Sequence, residues 1–189
     1  MHSLLAIAYD PVAYYRPWRN SVVGLSQERR ALLNAHLIDR FELPPLPADA
    51  KAHCGSTLTR RILENWALLP ATAYLMACAK HRAQLMVRSD LMKLPAPVHA
   101  VLRERHLAAT GTSVDAGRED SLLAWGGGYL CLLGAHMQPW IAKRMPLLFF
   151  GTSPAEQLRV REQSFDFSCF WSALNHAAYY SRVGSTICH

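Results

Sequence analysis

Between Leu122 and Ala135 the chain runs for 14 residues without a charge, and three consecutive glycines, Gly126-Gly127-Gly128, sit in the middle of that run. A stretch of this composition has to be buried. A membrane-spanning helix needs about 20 apolar residues, so the segment is read as a core element. Glycines leave a side-chain gap on a helix, which predicts either close packing against another helix or a helix break. They lack the Lys-Ser/Thr that follows the glycines of a phosphate-binding loop.

The rest of the chain supports a core of some size. With 189 residues it fits one domain. Apolar residues make up 51% and charged residues 18%, against about 25% charged in an average soluble domain. Little charge is left to cover the surface, and exposed apolar patches mark partner sites. The net charge is +6, from 20 basic and 14 acidic residues, and most of the excess lies in the first half. Sixteen of the basic residues are Arg. That bias fits interface use and equally a GC-rich genome.

The five cysteines, Cys54, Cys78, Cys131, Cys169 and Cys188, are odd in number and scattered. They do not read as a disulfide framework, and a reducing compartment is the simpler expectation. The start, Met1 to Tyr9, has no basic leader and breaks at Asp10-Pro11, so no secretory signal is expected.

Proline and capping residues divide the chain into helices. Residues 1–25 are read as an irregular aromatic arm packed on the body, punctuated by Pro11 and Pro17. Residues 26–189 are read as a single helical domain. Ser26 is a plausible N-cap, with Glu28 in the first turn, and its helix should end near Arg40. Pro44 to about Gly55 reads as a loop. Leu58, Ile62, Asn65 or Trp66, and Leu69 give the next helical face. Pro70 suits the first turn of a helix. That helix, apolar nearly all round from Ala71 to Ala79, is expected to be central and to turn polar at Lys80, His81, Arg82 and Gln84.

Val98, Val101 and Leu102 start another helix, running to about Leu107. Residues 109–120 are small and polar and read as a mobile loop. Pro139 opens a short helix that stops before Pro146. Leu147 to Phe150 is expected in the core rather than at an interface; it could form a short strand, but no partner run is evident. Ser153-Pro154-Ala155-Glu156 is a capping box, and Asp166 can cap a last helix from Phe167 to about Tyr180. The fold class expected is all-α, with seven to eight helices and no internal repeat.

Chemistry-bearing patterns are sparse. Cys78 and His81 are three apart, hence on one helix face, but a zinc site needs three or four converging ligands. No Cys-x-x-Cys or His-Glu-x-x-His is present, and His53-Cys54 and Cys188-His189 are adjacent pairs, which rarely share one ion. Cys78 is read as a small buried residue. No cysteine has an activating context, and the one adjacent acidic pair, Glu119-Asp120, falls in the expected loop. The residues therefore predict no catalytic site, no metal and no cofactor. Arg29-Arg30, Arg60-Arg61 and Lys80-His81-Arg82 could form a basic face, but the electrostatic footprint for nucleic acid is weak. Two alternatives stay open at this point: a helical nucleic-acid-binding regulator, or a small metal-binding or Cys-dependent helical protein. For protein contact, Tyr14, Tyr15, Arg16 and Trp18 are the candidate interface residues, because aromatic and Arg side chains anchor interfaces. The competing reading is that they pack the arm onto its own core.

The order of features carries a resemblance. Tyr9-Asp10-Pro11-Val12-Ala13-Tyr14-Tyr15-Arg16-Pro17 comes first. A helix pair around Trp66-Ala67-Leu68-Leu69-Pro70-Ala71-Thr72-Ala73-Tyr74-Leu75-Met76 follows, then Ala142-Lys143-Arg144-Met145-Pro146-Leu147-Leu148-Phe149. Together they resemble the SctK family of bacterial type III secretion proteins, also called YscK, OrgA or MxiK. The triple glycine and the 109–120 loop have no counterpart in that pattern. The resemblance implies a cytoplasmic, non-enzymatic accessory subunit of the sorting platform, placed at the cytoplasmic face of the inner membrane. It also implies two protein partners: the SctQ-like pod protein and the cytoplasmic domain of the SctD-like inner-membrane ring protein.

Overall fold

Three of the described helices begin at a side-chain oxygen that caps them. The Arg29 N–H donates to Ser26 Oγ (3.4 Å) at the start of α2, Gln27–Arg40. The Thr59 N–H donates to Ser56 Oγ (3.1 Å) at the start of α3, Thr57–Glu64. The Cys169 N–H donates to Asp166 Oδ1 (3.0 Å) at the start of the last helix, Phe167–Arg182. Each bond satisfies one of the amide groups that a helix N-terminus leaves without a partner.

The computed structural model describes residues 4–18, 20–50, 56–87, 91–104, 107, 119–152 and 164–183. Among them are nine α-helices and five short 3-10 segments, with no β-strand, so the all-α class is as expected. Besides α2 and α3, the helices are α1 (Leu4–Tyr9), α4 (Leu69–Lys80), α5 (Arg82–Met86), α6 (Ala96–Arg103), α7 (Glu119–Cys131), α8 (Pro139–Ala142) and α9 (Phe167–Arg182). No single helix among the described residues is long and apolar enough to cross a membrane.

The chain divides into two compact units, Met1–Ala67 with Leu133–Gly151, and Leu68–Leu132 with Thr152–His189. In the first unit, Ile7, Val12, Tyr14, Leu37, Ile62, Trp66 and Trp140 are among the buried residues. In the second, α4 is central, with α6, α7 and α9 packed on it. Leu69 and every residue from Thr72 to Lys80 are buried, as an all-round apolar helix requires.

The triple glycine resolves in favour of close packing. Helix α7 runs unbroken through it, and a Cβ placed on Gly126 would sit 1.9 Å from the Ala73 carbonyl oxygen of α4. Only hydrogen fits there.

Four local readings are corrected. Residues 4–9, read as irregular, form α1, which buries Ile7 and Ala8. It has no charged residue to outline a face, and it ends at Tyr9 because Pro11 disfavours helical geometry in Asp10 before it. Leu147 to Phe149 is not a strand but part of a 3-10 segment, Met145–Phe149, whose Pro146 fixes φ in its first turn. The burial expected there holds for Leu147, Leu148 and Phe149, whereas Phe150 is 38% exposed. Glu119 and Asp120, assigned to the loop, open α7, where the helix dipole favours negative charge. Helix α6 also stops at Arg103, short of Leu107. The remainder of the 109–120 loop and the Ser153–Glu156 capping box lie outside the described residues, as do His53, Cys54, Cys188 and His189.

Candidate functional site

In the first unit the N-terminal segment is tied down by an Asp–Arg–Asn network. Arg30 Nε and Nη2 donate to Asp10 Oδ1 (3.0 Å) and Oδ2 (2.5 Å). Asn34 Nδ2 donates to Asp10 Oδ1 (2.9 Å), and the Val12 N–H donates to Asn34 Oδ1 (3.0 Å). Arg30 and Asn34 are four residues apart, so they share one face of α2. The hydrogen bond to Asp10 raises the Arg30 pKa beyond its ordinary value. This two-pronged pair holds the end of α1 against α2.

Deeper in the same unit, Arg144 is 1% exposed. Its Nη1 donates to the Trp140 carbonyl (2.8 Å) and its Nη2 to the Ala8 carbonyl (2.7 Å). Burial lowers the Arg144 pKa, and the neighbouring Tyr14 offsets part of that. Tyr14 in turn donates its hydroxyl to the Ile7 carbonyl (2.8 Å), and burial raises its own pKa well above the usual phenol value.

The four candidate interface residues take two kinds of position. Tyr14 and Tyr15 are 8% and 3% exposed. Tyr14 meets Trp66 edge-on at 5.5 Å between ring centroids, and Tyr15 packs against Trp18, Phe41 and Phe150 at 5.2–5.8 Å. Both rings are engaged inside their own unit. Arg16 and Trp18 are half-buried. The Arg16 N–H donates to the Leu147 carbonyl (3.2 Å), and Trp18 stacks on His36 at 6.4 Å.

In the second unit the polar turn at the end of α4 is buried rather than exposed. Lys80 Nζ pairs with Asp166 Oδ2 (2.6 Å) and lies 5.8 Å from the centroid of the Tyr129 ring. The Tyr129 hydroxyl donates to the Ser164 carbonyl (2.9 Å) and accepts from the Asp166 N–H (2.8 Å). His81 meets the edge of Trp125 at 4.7 Å. Asp166 therefore caps α9 and neutralises a buried cation at once.

Burial acts to raise the Asp166 pKa, but Lys80 and the amides of Cys169 and Ser168 outweigh it and hold the carboxyl below its usual value. A depressed folded pKa means that the stabilisation is complete above the unfolded value, near ~4, and is lost as pH falls through the folded one. Asp166→Asn is expected to cost about 2 kcal/mol at neutral pH, since Asp166 is partly exposed and its loss strands Lys80. The variant should also lose less stability than the parent as pH drops below ~4. Urea melts at stepped pH check both points.

A titratable cluster in the second unit joins a carboxylate, a hydroxyl and an imidazole. Glu104 lies between Ser172 and His176: His176 Nε2 is 2.6 Å from Glu104 Oε1, and Ser172 Oγ donates to Glu104 Oε2. In a nucleophilic triad the histidine stands between hydroxyl and carboxylate. Here the carboxylate engages both side chains and joins α9 to the end of α6. Burial pushes the thiols of Cys131 and Cys169 up to about 12, so they stay protonated at neutral pH. Cys78 is fully buried. Among the described residues no three His, Cys, Asp or Glu side chains converge as a metal site would require.

Large apolar side chains remain on the surface of both units. Leu5, Tyr9, Val23 and Leu32 stand exposed in the first unit, and Met86, Val87, Met92 and Tyr179 in the second. Sequence reasoning missed the open face of α2. Its signal was the pair of alanines, Ala31 and Ala35, one turn apart on the helix.

Comparison with known proteins points to one family. Residues 4–179 match the family described as "Bacterial type III secretion apparatus protein (OrgA_MxiK)". The oxygen-regulated invasion protein OrgA of Salmonella typhimurium, in strains 14028s, SL1344 and LT2, is 27% identical over 178 residues. The aligned region covers 92% of this chain and 86% of each relative. No solved structure gives a significant match.

Proposed function

The chain belongs to the OrgA/MxiK family of bacterial type III secretion apparatus proteins, and on that premise we propose that it is a non-enzymatic adaptor of the apparatus. In this reading it links a SctQ-like pod protein to the cytoplasmic domain of a SctD-like inner-membrane ring protein. It resides in the cytoplasm at the face of the inner membrane, held there by its partners.

The observation that carries the reading is the extent of the family match, residues 4–179, which takes in both compact units. The surface supports it as well. Large apolar side chains such as Val23, Leu32, Val87 and Met92 are more than two-thirds exposed, which suits a protein that buries area against others. The buried charges of Lys80 and Arg144 are bound by the protein's own groups.

Deletion of the gene in its host is expected to abolish type III secretion while growth stays normal, and re-expression of this chain restores it. Secretion at the parental level without the gene contradicts the proposal.

A further inference from the structure

Helix α2 is long but little buried. Of its fourteen residues only Leu37 is fully enclosed. A helix of this length is marginal in water unless a face is packed. Glu28, Ala31, Leu32, Ala35 and Asp39 are all exposed, and at 3.6 residues per turn they form one continuous strip. Leu32, in this strip, is 71% exposed.

Beside the strip runs an open groove of about 420 Å³, walled by Tyr9, Ala31, Ala35 and Ile38, with Asp10 and Arg30 also lining it. The small alanines allow close approach by another backbone, and Tyr9, 47% exposed, forms the opposite wall.

Charge selects the occupant. Arg30 is neutralised by Asp10 through two hydrogen bonds. Glu28 and Asp39 stand at the two ends of the apolar patch, and no ion pair engages either of them among the described residues. They are eleven residues apart, which on a helix is about 16 Å along the axis and nearly the same angular position. The exposed cations of α2, Arg29 and Arg40, fall on the opposite edge with His36. The strip is therefore apolar in the middle and acidic at both ends.

We propose that this face of α2, with the groove beside Tyr9, seats an amphipathic helix of a partner protein that carries Lys or Arg on both sides of a small apolar patch. This is helix-in-groove recognition with the register set by charge. The proposal rests on the adaptor reading and locates its docking surface.

The test uses the purified full chain against the purified pod protein and the purified ring-protein cytoplasmic domain of the same secretion locus, each titrated separately by calorimetry. The variants are Ala35→Arg and the double change Glu28→Lys/Asp39→Lys. Arg40→Gln, on the far edge, is the control, and circular dichroism melts verify the fold. Both variants are expected to weaken binding to one of the two proteins by about tenfold or more, while the control binds as the parent does. Parental binding should also weaken from low to high salt. Undiminished binding by both variants overturns the docking face while leaving the adaptor reading in place. A parent chain that binds neither protein removes the adaptor reading and this proposal with it. A parent chain that self-associates, with the dimer dissociated by Ala35→Arg, overturns the proposal in favour of a second copy as occupant.

Discussion

Gly126→Ala is expected to lose about 3 kcal/mol of stability, with a fall in Tm of about 10 °C for a chain of this size. The added Cβ would meet the Ala73 carbonyl oxygen at 1.9 Å and its carbon at 2.5 Å. These are backbone atoms of the central helix of the second unit, so no side chain can rotate away. Helices α4 and α7 must separate, and both are buried along most of their length. Helix propensity acts in the other direction, since Ala is better than Gly by about 1 kcal/mol in a helix interior. The two effects therefore predict opposite signs, and steric exclusion dominates. Gly134→Ala is the contrast: its Cβ would meet Ala142 at ordinary contact distances, 3.4 Å from Cβ and 3.8 Å from Cα, and a change below about 1 kcal/mol is expected. Thermal melts of the two variants decide it. A Gly126→Ala protein as stable as the parent would mean that the helices are not in contact at this point.

The second large effect is expected at Arg144. From a fully buried position its guanidinium joins the Trp140 carbonyl to the carbonyl of Ala8, which lies 136 residues before Arg144. Arg144→Ala removes both donors and leaves two carbonyls and a cavity, for an expected loss of about 3–4 kcal/mol. Arg144→Met keeps most of the volume and removes a buried charge. It is expected to cost about 2 kcal/mol, from the two carbonyls left without donors. Limited proteolysis should then cut the N-terminal segment before other sites, because Ala8 loses its tether. Equal protection of that segment in the parent and in Arg144→Ala contradicts this role.

What the sequence revealed follows the range of the interactions. Helices fixed by local chemistry were readable: Ser26 and Asp166 cap where their spacing predicts, and the all-round apolar stretch from Ala71 to Ala79 forms the central helix. The glycine run left two readings, and only the position of Ala73 on another helix decides between them. Nothing in the sequence around Arg144 marks it as buried. Its burial depends on a carbonyl supplied by α1, which the sequence pattern did not reveal as a helix. Lys80 reads as the polar end of α4, yet Asp166, 86 residues later, allows it to be buried. Long-range partners of this kind leave no periodic trace.

The surface was legible only in outline. Low charge content predicted exposed apolar area without saying where it lies. The aromatic arm was the natural candidate, and Arg16 and Trp18 keep part of their surface open, but Tyr14 and Tyr15 turn inward. The open face of α2 escaped notice because Ala31 and Ala35 carry little hydrophobic signal, and because a helix with a single buried residue differs from an ordinary amphipathic one only when its neighbours are seen.

The central claim, that this chain works by joining two other proteins of the apparatus, is tested most directly by reconstitution. The pod protein and the cytoplasmic domain of the ring protein are mixed with and without this chain, and size exclusion with light scattering reports the assemblies. A ternary complex that forms only when the chain is present is the predicted result. Direct association of the other two without it, or binding of one partner that excludes the other, would contradict the account.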